Sequence, residues 1–246
     1  VKNGLCENMT RIDFHSHILP NMDDGAANVA ESLSMLRMLK NDGVETVVAT
    51  PHLYLHRESV SSFFDHRRES AWELSEAIEA EKEKGIEYPK IVLGAEVYFT
   101  GGLENLPLKE LCITGTDYLM LELPYAPFTS TFLNSLANFI YSCDVRIILA
   151  HIERYFDFSE AKMVEQVLSH GLTAQGNCDS IISARTRKTT LKLIENGSIK
   201  LLGTDLHSIR MRPPRFSEAE QVIRKKLSDE TFVSMMETAA AVLGNT

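Results

Sequence analysis

Apolar positions along this chain follow two alternating rhythms. Short, nearly continuous apolar runs occur at 11–15, 44–49, 90–96, 117–123, 145–150, 172–177 and 199–204. Val44-Glu45-Thr46-Val47-Val48 and Arg146-Ile147-Ile148-Leu149-Ala150 are typical of them. Such runs suit parallel strands buried on both faces. Between them the apolar residues take helical spacing. Val29, Leu33, Leu36 and Leu39 line one helical face, and Asn41-Asp42-Gly43 supplies a stop signal. Segments 57–84, 130–142, 159–170, 184–196 and 217–243 also read as helix; Gly85 closes the first, and the last breaks near Ser228-Asp229.

The order reads as βα repeated seven times, which predicts an α/β fold closed into a parallel barrel. A doubly wound open sheet is the alternative; against it, no Gly-x-Gly-x-x-Gly turn follows the first strand. With no low-complexity segment and no long linker, one domain is expected over 1–246.

Composition narrows the class. A chain of 246 residues, 44% hydrophobic, is long enough for one large core. No apolar stretch reaches the ~18 residues of a membrane span, and Val1 to Thr10 is polar without a signal-peptide core. A cytoplasmic protein without membrane insertion is therefore the expectation. Cys6, Cys112, Cys143 and Cys178 are scattered and form no Cys-x-x-Cys, which argues against a disulfide framework or a zinc ribbon. The formal net charge is −9 and no basic tract is present, so nucleic acid is an unfavoured partner.

The chemistry collects at the ends of the apolar runs. Strand one ends in His15 and His17, two imidazoles at the i, i+2 spacing that shares one side of a strand. Its loop carries Asp23 and Asp24; strand two runs into Thr50-Pro51-His52. Strands three, four and five end in Glu96, Glu122 and His151, and strand seven in Asp205-Leu206-His207. Only strand six, ending near Asn177, lacks a strong ligand. A histidine at one strand end is ordinarily structural, whereas a carboxylate in an apolar strand is costly unless paired or metal-bound. Barrel closure would bring all these groups to one mouth. They are too many for one ion and fit two or three divalent cations. Without cysteine among them, manganese is favoured, with iron and zinc compatible.

These motifs resemble the PHP (polymerase and histidinol phosphatase) superfamily. Within it, the chain is similar to the bacterial manganese-dependent tyrosine-protein phosphatases encoded with capsule and exopolysaccharide genes. The resemblance is carried by Ile12-Asp13-Phe14-His15-Ser16-His17-Ile18 with Asp23-Asp24-Gly25, by Pro51-His52, and by Gly94-Ala95-Glu96-Val97-Tyr98. Ala150-His151-Ile152-Glu153-Arg154-Tyr155 and Asp205-Leu206-His207 with Arg212-Pro213-Pro214 complete it. The resemblance implies a distorted seven-stranded barrel and three metal ions. The first would take His15, His17, Glu96 and Asp205; the second would share Glu96 and add Glu122 and His151; the third would use Asp24, His52 and His207. Asp24 is preferred to Asp23, which is kept as a supporting group. Arg154 and Arg212 match the family's phosphate-holding arginines.

The activity so implied is hydrolysis of phosphotyrosine on a protein by a metal-activated water, without a phosphoenzyme. The resemblance suggests as substrate a tyrosine kinase that regulates polysaccharide synthesis; the sequence leaves oligomer formation open. A cysteine-dependent tyrosine phosphatase is excluded, because the sixth residue after each cysteine is Ile12, Tyr118, Leu149 or Ala184, never Arg. Three rivals remain: a small-molecule phosphoesterase such as a histidinol-phosphate phosphatase, a non-catalytic metal-binding module, and an amidohydrolase. The last two are disfavoured by the full ligand set and by the lack of a strand-end lysine. The stretch His56, Arg57, His66, Arg67, Arg68 reads as a solvated helix face, and Phe63, Phe64 and Trp72 as packing.

Overall fold

The computed structural model describes residues 9–210 and 212–244; Cys6 and the rest of the polar N-terminal stretch up to Asn8 lie outside the described residues. The strands are β1 Ile12–Ser16, β2 Thr46–Ala49, β3 His52–Leu53, β4 Lys90–Leu93, β5 Glu96–Tyr98, β6 Tyr118–Glu122, β7 Arg146–Leu149, β8 Thr173–Asn177 and β9 Ile199–Gly203. The helices are α1 Val29–Asn41, α2 Val60–Lys82, α3 Leu108–Leu111, α4 Ser130–Ser142, α5 Ala161–Leu168, α6 Cys178–Ile182, α7 Arg187–Glu195, α8 Phe216–Lys226 and α9 Asp229–Val242. The strands form two parallel sheets, ordered β1-β2-β4 and β3-β5-β6-β7-β8-β9.

The α/β class and parallel pairing follow the sequence pattern. Two expected strands, however, are each divided. The run at 90–96 breaks at Gly94-Ala95 into β4 and β5, and the second strand resumes after Thr50-Pro51 as β3. Pro51 has no N–H to continue a ladder, so pairing there cannot run on unbroken. The adjacent chain breaks at the same level: Gly94 N donates to Ala49 O at 2.8 Å and Glu96 N to Pro51 O at 3.0 Å. Past the break, His52 and Glu96 stand opposite each other in the β3–β5 register. The third connection also departs from the βα repeat: it holds a 3-10 turn, Leu103–Asn105, and the single turn of α3.

Burial explains why most of the strand runs are apolar. Ile12, Phe14, Val48, Met120, Ile148, Ala150 and Leu201 gather in one apolar cluster with Ala239 and Val242 of α9. Their sequence neighbours Val47, Ala49, Leu119, Leu121, Ile147, Leu149 and Leu202 belong to a second cluster with the helices. β1 meets β9 across the gap between the sheets: Asp205 N donates to His15 O at 2.8 Å and His17 N to Leu206 O at 2.9 Å.

Helix ends follow capping rules. Asn28, Ser59, Thr129 and Ser228 each accept from the backbone N–H three residues on. The Ser228 cap accounts for the break between α8 and α9. The cap of α8 comes from far away in sequence: the Asp42 carboxylate, beyond α1, accepts from Phe216 N and from Ser217 N. No helix among the described residues is long and apolar enough to cross a membrane.

Two sequence expectations need correction here. Trp72 is not packing: it is 62% exposed, while Phe63 is buried. Nor is the basic stretch merely solvated. Arg67 crosses the Phe63 and Phe64 rings and donates to Gly94 O at 2.8 Å, bracing the β4–β5 break, and Arg57 covers the Tyr54 ring. For Arg67 the partner off the helix is Gly94 O; for Arg57, which precedes α2, it is the nearby Tyr54 ring.

Candidate metal centre

The strand ends and the connections after them deliver the nine expected side chains to one place. His15 and His17 project from the end of β1, His52 opens β3, Glu96 opens β5 and Glu122 closes β6. His151 follows β7, and Asp205 and His207 follow β9. Four groupings of donor atoms, each mutually within 4.8 Å, cover all nine: His17-Asp24-His52-His207, His15-Glu96-His151, His15-His17-Asp205 and His52-Glu96-Glu122. His52 thus stands nearer Glu96 and Glu122 than the three-ion division implied.

Glu96 lies at the centre. Its Oε2 is 3.2 Å from His15 Nε2, 3.4 Å from His17 Nε2 and 3.0 Å from His52 Nδ1. Its Oε1 is 2.7 Å from His151 Nε2. Asp205 Oδ1 sits 3.6 Å from His15 Nε2, 3.5 Å from His17 Nε2 and 3.2 Å from His207 Nδ1. Asp24 Oδ1 lies 3.6 Å from His52 Nε2 and 3.4 Å from His207 Nε2.

Residues beneath the ligands set which nitrogen faces inward. Gln175 Oε1 accepts from His151 N at 2.9 Å, so that atom is an acceptor, and it lies 3.1 Å from His15 Nδ1. His15 Nδ1 therefore carries a proton, and Nε2 faces Glu96. Asp23 does the same for His17, with Oδ2 2.7 Å from Nδ1, and also accepts from His52 N at 2.9 Å. That tautomer control is the usual support for a ligating imidazole. Gln175 Nε2 continues to Asn177 Oδ1 at 2.9 Å, and Asn177 Nδ2 to Asp205 Oδ2 at 2.9 Å. The strand without a candidate ligand is thus the one that holds three candidate ligands in place. Asp13, buried below, accepts from Thr204 N at 2.8 Å and His15 N at 3.2 Å. Burial pushes its carboxyl up to about 6 against those hydrogen bonds.

Two glycines are required by close approach. A Cβ on Gly25 would lie 2.1 Å from His17 O, and one on Gly203 would lie 2.5 Å from His15 Cβ and 2.7 Å from Gln175 Nε2. Both contacts are far inside van der Waals range, so the Asp23-Asp24-Gly25 loop can close on His17 only with glycine. His151 and Asp205 have φ of 31° and 53°, a strained conformation for residues with a Cβ.

The electrostatics demand positive charge. Burial acts to raise the Glu96 and Asp205 carboxyls, yet His15 and the other imidazoles hold both well below the usual range. Burial and the Glu96 charge push Glu122 up. Burial drives His151 down to about 4 despite its bond to Glu96. His52 Nδ1 and His151 Nδ1 are buried without a hydrogen-bond partner, the former although 3.0 Å from Glu96 Oε2. An oxygen- and nitrogen-binding divalent cation would offset the carboxylate charge that burial opposes. The donor set fits such ions.

Both expected arginines reach this cluster. Arg154, on a 3-10 turn over Ile152–Asp157, pairs with Asp205 Oδ2, and Arg212 Nη1 lies 3.3 Å from the same oxygen. Arg215 instead pairs with Glu218 at 2.7 Å and Asp179 at 3.4 Å. Sequence reasoning missed Gln175 and Asn177, and Tyr54 and Tyr125, whose hydroxyls lie 3.2 Å from Glu122 Oε2 and 3.3 Å from His151 Nε2. Two amides inside the strand run Thr173–Asn177 were the available signal.

Comparison with known proteins places the chain in one family. The family model described as "Capsular polysaccharide synthesis, CpsB/CapC" matches residues 11–243. The tyrosine-protein phosphatase CpsB of Streptococcus agalactiae serotype III (strain NEM316) is 27% identical over 246 residues, covering 95% of this chain and 98% of the relative. The tyrosine-protein phosphatase YwqE of Bacillus subtilis (strain 168) is 28% identical over 242 residues, covering 95% and 92%. A solved structure from work on Bacillus subtilis YwqE and Streptococcus pneumoniae CpsB, described as unique metal-dependent tyrosine phosphatases, superposes with a TM-score of 0.80 at 25% identity, covering 96% of this chain and 95% of that one. Histidinol phosphate phosphatase from Lactococcus lactis shares the fold alone, with a TM-score of 0.54 at 12% identity over 88% and 93% of the two chains. The chain belongs to the CpsB/CapC family of capsular polysaccharide synthesis proteins.

Proposed function

We propose that this chain is a metal-dependent protein-tyrosine phosphatase, a phosphoric monoester hydrolase acting on phosphotyrosine. The observation that carries the reading is the convergence of His15, His17, Asp24, His52, Glu96, Glu122, His151, Asp205 and His207 beside two arginines that share Asp205. The names of the relatives point the same way. In this reading the two sheets are halves of one distorted seven-stranded barrel and 1–246 is a single domain. The hydrogen bonds between the end of β1 and the segment after β9, with the shared inner cluster, support closure.

His15, His17, Glu96 and Asp205 would hold one cation, Glu96, Glu122 and His151 a second, and Asp24, His52 and His207 a third. Manganese is the proposed metal, with iron or zinc as substitutes. Bound cations would lower the pKa of a coordinated water and withdraw charge from the phosphoryl oxygens. Arg154 and Arg212 would bind the phosphoryl group through the donors that Asp205 leaves free. Arg154 is suited to this: burial opposes its charge, but Asp205, Tyr125 and Glu153 together outweigh burial and keep the guanidinium protonated. The leaving phenol has a pKa of about 10, so departure needs less help from a general acid than an alkyl alcohol would, and none is assigned. Hydrolysis is direct; transfer of labelled phosphate to the protein would overturn that point. The proposed physiological substrate is a tyrosine kinase that regulates capsule or exopolysaccharide synthesis, met in the cytoplasm.

The test compares a tyrosine-phosphorylated peptide with histidinol phosphate, using metal-stripped protein with manganese added back. Manganese-dependent turnover favouring the peptide, lost in His151→Ala and Arg154→Ala, is expected. Turnover of histidinol phosphate alone would move the chain to small-molecule metabolism.

A further inference from the structure

Among the described residues, five large hydrophobic side chains stand exposed: Trp72, Tyr125, Tyr141, Phe158 and Ile209. Single exposed apolar residues are ordinary, and Trp72 and Tyr141 lie on α2 and α4. The other three lie in the connections that follow β6, β7 and β9, the strands whose ends supply Glu122, His151 and Asp205. Tyr125 and Phe158 touch, with ring centroids 5.4 Å apart and planes tilted by 52°.

Tyr125 is held rigidly from below. Its ring stacks with His151 and with Tyr155, each at 5.8 Å. Its hydroxyl accepts from Arg154 Nη1 at 3.2 Å. Two site residues therefore fix its orientation, yet 40% of its surface remains open, as does 43% of Phe158. The other aromatic group at the site is closed by comparison. Tyr54 donates to Glu122 Oε2 at 3.2 Å, packs on Tyr98 at 5.4 Å, and has Arg57 over its ring at 4.7 Å.

We infer that Tyr125 and Phe158 form a shelf for the aryl ring of a phosphotyrosine substrate. The inference rests on the phosphotyrosine reading above and adds to it a source of selectivity. One ester oxygen separates phosphorus from the ring, so a phosphoryl group held by Arg154 puts that ring beside the residue Arg154 itself hydrogen-bonds. Aromatic rings gain from offset or edge contacts at just such separations, whereas an alkyl phosphomonoester offers no face to the shelf. Phosphotyrosine is thereby favoured over phosphoserine and phosphothreonine by the wall beside the reacting group, in addition to its better leaving group.

Phe158 is the residue to change, because its side chain forms no hydrogen bond with the site. The manganese-loaded protein, Phe158→Ala and Phe158→Trp are compared for turnover of a phosphotyrosine peptide and for competitive inhibition by inorganic phosphate, which has no ring. Thermal melting checks that each variant is folded. The shelf predicts that Phe158→Ala lowers kcat/KM for the peptide about fivefold, mainly through KM. Phe158→Trp restores most of the loss, and the phosphate inhibition constant stays the same in all three. Unchanged peptide kinetics in Phe158→Ala would overturn the shelf while leaving the phosphatase reading intact, as would equal weakening of phosphate. A parent protein that fails to turn over the peptide would remove the reading and the shelf together.

Discussion

Asp23 Oδ2 lies 2.7 Å from His17 Nδ1 in a pair that is almost wholly buried. One carboxylate so close to a ligand's outer nitrogen is an orienting group, and it separates the roles of adjacent aspartates. Asp23 faces inward against His17 and the His52 N–H, while the more exposed Asp24 faces His52 and His207.

Asp23→Ala is expected to weaken manganese binding about tenfold or more, because His17 loses both its tautomer and its angle. Calorimetric titration of the stripped protein checks this. Affinity equal to that of the parent would show that His17 is held by its neighbours alone.

Gln175→Leu removes the acceptor shared by His15 Nδ1 and the buried His151 N–H. A buried donor without a partner costs about 1–3 kcal/mol, and that loss should appear in urea unfolding of the metal-free chain. Gln175→Glu keeps the acceptor but adds a negative charge below the site, so its manganese affinity and its stability should separate.

Metal removal should lower the melting temperature, and manganese should restore it in a concentration-dependent way. A ligand at a hundred times its dissociation constant contributes about 2.7 kcal/mol to the folded state. The buried carboxylates Glu96 and Asp205, each surrounded by imidazoles, are the reason to expect a large effect. Melting that ignores manganese would contradict the cation assignment without any reference to catalysis.

Far from the site, Asp42→Ala should destabilise the chain by about 1–2 kcal/mol, the usual worth of an N-cap, because Asp42 caps α8. Denaturant unfolding measures it, and Asp42→Asn should cost less. Parent-like unfolding of Asp42→Ala would mean that α8 is held by packing alone.

Burial pushes the Cys112 thiol from 9.0 up to about 12. A higher pKa means less thiolate at any pH below it, so at pH 8 the reactive fraction falls roughly a thousandfold relative to an unperturbed thiol. Cys112 should resist iodoacetamide at pH 8 in the native protein and react once unfolded, as mapped by peptide mass spectrometry. Native alkylation of Cys112 would show that its surroundings open readily.

Most of the candidate ligands were legible because they interrupt or end an apolar run. Glu96 and Glu122 have no place in a buried strand unless something compensates them, and sequence spacing alone put them at strand ends. Gln175 and Asn177 escaped for the same reason in reverse. A neutral amide carries a small burial penalty, and the partner that explains Gln175, His15, is 160 residues away. The divided strands were illegible too, since Lys90 to Glu96 reads as one apolar run and only the neighbouring Pro51 forces Gly94-Ala95 to break in step. Tyr125 and Phe158 carry no periodic signal at all, because loops place them.

The pairing of β1 with the segment after β9 has a consequence for synthesis. A ribosome makes His15 and His17 long before Asp205 and His207, yet His15 O receives its hydrogen bond from Asp205 N. These two imidazoles are therefore made well before the segment that clasps them. A nascent polypeptide stopped before residue 205 would carry most of the candidate donors and lack the strand-to-strand clasp that brings them together, so the site cannot be complete until Asp205 and His207 have been made.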